Sequence, residues 1–217
     1  MSKRKLQPDC NLYLVLDTQV ADYDRLLEIT RLAVSTGVDI VQLRDKTGST
    51  GRILSFSKKI QKILQGRIPY IINDRPELAA AAEANGVHLG QDDPSIKNSR
   101  RQLGDEAIIG VSCQTWEHVL AAQDNGADYI GFGSVFKTKT KPDRELMDLG
   151  LLEKILKKST IPVFAIGGIN LENVKPLIDL GVTRIAVTRA ILEAGDVKGA
   201  VKEFKEILNA GVGILRE

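Results

Sequence analysis

Three groups of residues in this 217-residue chain have types and spacings suited to phosphorylated substrates. Gln42-Leu43-Arg44-Asp45-Lys46 follows an apolar run, and an extended chain sends Gln42, Arg44 and Lys46 to one side and Leu43 to the other. A guanidinium offers oxyanions a planar fork and an ammonium offers a compact charge, so the trio suits a diphosphate better than a surface salt-bridge strip. Asn73-Asp74-Arg75 and Gln91-Asp92-Asp93 follow two further apolar runs. Asp74 with Asp92 or Asp93 could hold Mg2+, which commonly takes one or two carboxylates together with substrate phosphate oxygens and water. Helix capping competes evenly, because Asp74 lies just before Pro76 and Asp93 just before Pro94. Gly167-Gly168 and Thr188-Arg189-Ala190-Ile191 have the form of a phosphate cradle, in which backbone amides approach an anion closely. His88 and His118 have no evident partner and are read as structural. No nucleophile stands beside a base, which argues against covalent catalysis.

Elements that could bring these groups together alternate along the chain. Short runs rich in Val, Ile and Leu predict strands buried on both faces at Leu12–Leu16, Ile40–Leu43, Tyr70–Ile72, Gly86–Leu89, Ile108–Val111, Tyr129–Phe132, Pro162–Ile166 and Arg184–Val187. Segments with helical spacing lie between them, such as Leu26, Ile29 and Ala33, or Ile53, Phe56, Ile60 and Ile63. Eight alternations predict an α/β fold of the (β/α)8 (TIM) barrel type, as a single domain over residues 1–217, in preference to an open doubly wound sheet. Gly37, Gly86, Gly126 and Gly181 each precede a strand closely and are read as left-handed residues just past a helix end. Residues 1–11 form an amino-terminal extension, and the long loop 133–148, after the sixth strand, has the length of a binding loop or lid. Catalytic groups of such barrels sit at the carboxyl ends of the strands, where the polar residues above converge with Asp17, Ser112, Thr138, Thr140 and Lys141.

Composition narrows the function. Thirty basic and 28 acidic residues leave a net charge of +2, against the concentrated basic excess of a nucleic-acid or membrane-surface protein. Cys10 and Cys113 are too few for a disulfide framework and too far apart for a metal motif. No apolar stretch follows MSKRKLQPDC as a signal peptide would require, and no run reaches the roughly 18 residues of a membrane helix. The expected location is the cytoplasm, the expected partners are small molecules, and homo-oligomerisation is left open.

In order, Gln42-Leu-Arg-x-Lys46, Asn73-Asp-Arg75, His88-Leu-Gly-Gln-x-Asp93, Gly110-Val-Ser112, Val135-Phe-x-Thr-x-Thr-Lys141 and Ala165-Ile-Gly-Gly-Ile169 resemble the thiamine phosphate synthase family from about Leu12 to Leu208. The resemblance implies a transferase that joins 4-amino-2-methyl-5-(diphosphooxymethyl)pyrimidine to 4-methyl-5-(2-phosphoethyl)thiazole, free or carboxylated, releasing pyrophosphate. It implies that Gln42, Leu43, Arg44, Asp45, Lys46, Asn73, Ser112 and Lys141 hold the pyrimidine diphosphate, with Arg44, Lys46, Ser112 and Lys141 catalytic. Thr138, Lys139, Thr140, Gly168, Thr188 and Arg189 would seat the thiazole phosphate, and Asp74 and Asp93 would bind Mg2+. Asp93 is preferred to Asp92 because the family's acidic residue lies two after the Gln. The implied chemistry is dissociative, with the diphosphate leaving before the thiazole nitrogen attacks. Two departures stand out: Lys137 where the family commonly has Pro, and Thr188-Arg189 where it commonly has Val or Ile followed by Ser. The alternatives are a related thiazole tautomerase, expected to carry His at Ser134, a sugar-phosphate epimerase or isomerase, and a non-catalytic barrel that binds phosphorylated ligands.

Overall fold

The computed structural model describes residues 6–7, 9–138 and 146–214 of the chain. Strands β1 (Leu12–Asp17), β2 (Ile40–Arg44), β3 (Tyr70–Asn73), β4 (Gly86–Leu89), β5 (Ile108–Cys113), β6 (Tyr129–Phe132), β7 (Val163–Ile166) and β8 (Ile185–Val187) pair in parallel in that order. β8 returns to β1, with Leu14 opposite Val41 on one side and Val187 on the other, so the sheet is a closed barrel. Helices α1 (Tyr23–Thr36), α2 (Thr50–Leu64), α3 (Pro76–Ala81), α4 (Ile96–Leu103), α5 (Trp116–Asp124), α6 (Leu149–Lys158), α7 (Lys175–Asp179), α8 (Arg189–Leu192) and α9 (Val197–Ile214) fill the connections. Each predicted strand is present with ends shifted by at most two residues, because a parallel strand covered on both faces is an apolar run whatever its neighbours.

Alternation along each strand divides the core into two layers. Leu12, Leu14 and Leu16 join the larger cluster between barrel and helices, while Tyr13 and Val15 point inward beside Ile40, Ile71, Ile108, Tyr129, Phe164 and Ala186. Three aromatic rings fill the middle of the barrel. Phe164 meets Tyr13 and Tyr129 edge-on, with centroids 5.4 and 5.5 Å apart. Gly110 makes room for them, since a Cβ there would sit 2.0 Å from the Tyr129 ring.

Side-chain caps set where the helices begin. Asp22, Ser49, Ser95 and Thr115 accept from the backbone N–H three residues on in α1, α2, α4 and α5, and Asp148 accepts from Gly150 in α6. Gly37, Gly126 and Gly181 adopt positive φ past their helix ends, as expected. Gly86 does not: it is the first residue of β4, and a Cβ there would lie 1.8 Å from the Ile108 carbonyl oxygen. Close strand approach, not a left-handed turn, requires that glycine. Cys10 and Cys113 are buried free thiols pushed up by burial to about 11 and about 12, so neither is poised to react. Among the described residues no helix is long and apolar enough to cross a membrane.

Candidate active site

A cavity of about 350 Å³ opens at the carboxyl ends of the strands. Gln42, Arg44, Asn73, Ser112, Thr138, Gly168, Thr188 and Arg189 line it, so eight of the expected site residues meet in one place. Its floor is the aromatic layer of Tyr13, Tyr129 and Phe164, with His88 beside them.

Arg44, at the end of β2, donates to Asp17 at 2.8 Å and to Gln19 at 3.1 Å. Asp17 is fully buried at the end of β1, and its ion pair with that guanidinium aims Arg44 across the rim. Lys46 pairs with Asp74 at 2.9 Å. Asp74 is a non-glycine residue at φ 64°, a conformation that Asp tolerates better than most side chains and that turns its carboxylate toward Lys46. Neither acid caps a helix. Arg75 and Ser95 occupy the cap positions of α3 and α4, while Asp93 accepts the Gly90 N–H at 2.6 Å and meets Asp74 side chain to side chain. The capping alternative is therefore excluded for both.

The two carboxyls titrate apart. Burial opposes ionisation of Asp74, but Lys46 together with the Asp93 hydrogen bond and the nearby His88 outweighs it and holds the carboxyl below its usual range. Burial raises Asp93, and the neighbouring Asp74 carboxylate raises it further, against the Gly90 N–H. Among the described residues no three His, Cys, Asp or Glu side chains gather around one point. Two adjacent carboxylates beside an oxyanion cavity nevertheless match the donor chemistry of a magnesium ion that takes its remaining oxygens from substrate and water.

On the far side of the cavity the backbone turns through Gly167 and Gly168, at φ 107° and 65°. Asn173 donates to the Gly168 carbonyl at 2.9 Å and accepts from the Asn170 N–H at 2.8 Å, which fixes that turn. The start of the long loop runs along it, with Val135 and Phe136 N–H groups donating to Ile166 and Gly167 at 3.0 Å. A Cβ on Gly168 would lie 2.3 Å from the Lys137 carbonyl oxygen. Arg189 pairs with Glu193 at the C-cap of α8, and its Nε is buried in the wall with no hydrogen-bond partner among the described residues.

Two expected contacts are corrected. The Leu43 side chain is 2% exposed and packs in the outer layer, so it does not reach the cavity. Asp45 faces away: it accepts from Tyr23 and from the Thr47 and Gly48 N–H groups, where it stabilises the turn that ends β2. Lys46, Asp74 and Asp93 stand on the rim beside the cavity. Lys139, Thr140 and Lys141 lie outside the described residues.

His88 does have partners, contrary to expectation, and an imidazole does stand beside a serine. His88 Nε2 is 2.9 Å from Ser112 Oγ, and its Nδ1 is 3.0 Å from the Tyr129 hydroxyl. His118 sits in α5, where its Nδ1 accepts from Gln114 N–H at 3.4 Å. Sequence reasoning also passed over Tyr13, Tyr129, Asn170 and Glu193, which line the cavity with Ser134. Counting back by twos along β1 from Asp17 would have flagged Val15 and Tyr13 as inward positions, and along β2 from Arg44 it flags Gln42. Gln91 was placed at the rim and has a specific task there, donating to the Ser112 carbonyl at 2.6 Å.

Residues 12–191 match the family described as thiamine monophosphate synthase. A thiamine-phosphate synthase of Clostridium novyi is 40% identical over 198 residues, which cover 90% of this chain and 97% of that one. One of Methanobrevibacter smithii is 40% identical over 202 residues, 91% and 96% of the two chains. The solved thiamine phosphate pyrophosphorylase of Pyrococcus furiosus superposes with a TM-score of 0.85 at 33% identity, covering 94% of this chain and 98% of that structure.

Proposed function

The chain belongs to the thiamine monophosphate synthase family of transferases, and we propose that it condenses the aminopyrimidine methyl diphosphate with the thiazole ethyl phosphate to give thiamine monophosphate and pyrophosphate. The observation that carries this reading is one cavity with an anion-binding wall on each side and an aromatic floor between them. On one side stand Arg44, Asn73 and Ser112, with Lys46 and the two acids on the rim; on the other lie the Gly167-Gly168 turn, Thr138, Thr188 and Arg189.

In this reading the aminopyrimidine lies over Tyr13 and Tyr129, with Gln42 at its edge. Arg44, held by Asp17, and Lys46 bind the diphosphate and gain strength as negative charge builds on the leaving group. Asp74 and Asp93 would hold Mg2+, which when bound supplies further charge neutralisation for the leaving diphosphate. Ser112 lies where it can donate to the same substrate. The glycine turn, Thr138, Thr188 and the Arg189 donors fix the thiazole phosphate so that the ring nitrogen faces the pyrimidine methylene carbon. Positioning of two bound reactants accounts for much of the acceleration, because the bimolecular step becomes effectively unimolecular. Small-molecule turnover in the cytoplasm is the matching setting.

Pyrophosphate release, measured with each substrate alone, with both, and with both plus chelator, tests the proposal. Release that requires both substrates and the metal is expected. Release from one substrate alone, or none from folded protein, would overturn it.

A further inference from the structure

Beneath the cavity, a chain of hydrogen bonds joins five side chains from five strands. Gln42 Nε2 donates to the Tyr13 hydroxyl at 2.7 Å, and the Tyr13 and Tyr129 hydroxyls are 2.8 Å apart. Tyr129 is 3.0 Å from His88 Nδ1, and His88 Nε2 is 2.9 Å from Ser112 Oγ. Tyr13 and Tyr129 are 2% and 1% exposed, so each must find its partners within the protein. Burial also raises both phenols well above their ordinary range, so each stays neutral with a single proton to donate.

Those facts fix a direction. An amide NH2 only donates, so Tyr13 oxygen accepts from Gln42 and passes its own proton to Tyr129. Tyr129 then donates to His88 Nδ1, which must be the bare nitrogen, and Nε2 carries the ring proton. Ser112 Oγ accepts that proton's hydrogen bond, and the serine's own hydrogen is left for the cavity. Run in reverse, from the Gln42 amide oxygen, the chain would protonate Nδ1 and leave Nε2 as a base on Ser112. That reverse arrangement is the one an activated serine needs, usually with a carboxylate orienting the other nitrogen; here the orienting group is a phenol.

We propose that Tyr13 and Tyr129 are positioning residues that hold His88 as the Nε2–H tautomer, so that Ser112 serves as a hydrogen-bond donor to the substrate and not as a base-activated nucleophile. The proposal rests on the reading of this cavity as the seat of the pyrimidine diphosphate. It identifies the substrate group facing Ser112 as an acceptor, a ring nitrogen or a diphosphate oxygen.

The sequence holds two histidines, which makes a direct test practical. Full-length protein labelled with 15N-histidine, without substrate and near neutral pH, gives the tautomer from two-bond nitrogen–proton correlations, with His118→Asn assigning the signals. His88 is expected with Nε2 protonated and Nδ1 bare; protonated Nδ1, or an even mixture, would overturn the proposal. Tyr129→Phe is expected to turn the single tautomer into a mixture. It should also lower kcat/KM for the pyrimidine diphosphate roughly tenfold, the equivalent of one lost hydrogen bond, with KM for the thiazole phosphate unchanged. A Tyr129→Phe protein with a mixed tautomer and unaltered kcat/KM would refute the positioning role. Because the tautomer is read without substrate, an enzyme that releases no pyrophosphate would sink the functional reading and leave the tautomer result standing.

Discussion

The two ends of the barrel use the same residue types in opposite ways. At the amino-terminal ends of the strands Asp39 accepts from the Asn11 and Leu12 N–H groups at 2.9 Å and from Lys205 at 2.8 Å, and Lys205 also donates to Asn11. Arg100 there bonds Asp128 at 2.9 Å and the Ala107 and Gly126 carbonyls, while Asp128 also accepts from Ile109 N–H. Each charge is matched by an opposite charge and by a further backbone or side-chain bond, and the bonds tie α9 and α4 to the strands. At the carboxyl ends Asp74 lies at positive φ against a second acid, Asp93 is pushed up by burial and by that neighbour, and Arg189 keeps a buried N–H without a partner among the described residues. Polar groups at the first end complete the fold. At the second they are left to be completed by a ligand, at a cost in strain and repulsion that the rest of the barrel must offset.

Substitutions that separate activity from stability would break or sharpen this contrast. The largest effect is expected for Asp74→Ala, which should cut pyrophosphate release about 10²–10³-fold, the scale for removing one charge-stabilising group. Its midpoint of thermal unfolding should stay close to that of the parent protein. Comparable losses in both would erase the distinction between the two ends.

Asp39→Ala is the converse. It leaves two backbone N–H groups without their acceptor and Lys205 without its counter-charge, and should cost about 2–3 kcal/mol in denaturant unfolding while kcat is retained. Loss of kcat in the folded variant would mean that the lower face also shapes the site.

Arg189→Ser should raise KM for the thiazole phosphate about three- to tenfold and leave KM for the pyrimidine diphosphate alone, as expected for one charge-assisted bond at a partly exposed site. An unchanged KM would assign Arg189 to the Glu193 pair alone.

Acidity gives the smallest effect. Metal binding needs Asp93 ionised, and its pKa is raised, so Mg2+ affinity should begin to fall at a higher pH than for an ordinary carboxylate. Asp74, whose pKa is lowered, stays charged throughout that window. In the metal-free protein the linkage has opposite signs. The raised Asp93 removes stability as pH rises through its folded pKa, whereas the lowered Asp74 contributes stability that is lost as pH falls through its own. Magnesium titrations followed calorimetrically at several pH values would show whether Asp93→Asn removes the dependence.

Much of this was legible without coordinates. Apolar runs placed β4 and β6 to the residue because a strand covered on both faces must be apolar along its length. Residues just past those runs marked the rim, because parallel strands all end on one face, and Arg44, Asn73, Ser112 and Thr188 meet there as expected. Spacing could not say whether Asp74 and Asp93 cap helices or face each other, since both answers fit the same residues; a left-handed turn at Asp74 and the Ser95 cap decided it. Leu43 and Asp45 were grouped with their neighbours by adjacency, but pleating sends one outward and the turn sends the other back toward Tyr23. His88 looked partnerless because its partners lie 24 and 41 residues away along the chain. Local pattern determined which residues face inward and which end of each strand carries polar groups. Only closure of the barrel, which brings β1 against β8 and the inner residues of β1, β2, β4, β5 and β6 within hydrogen-bond reach, decided which of those groups touch.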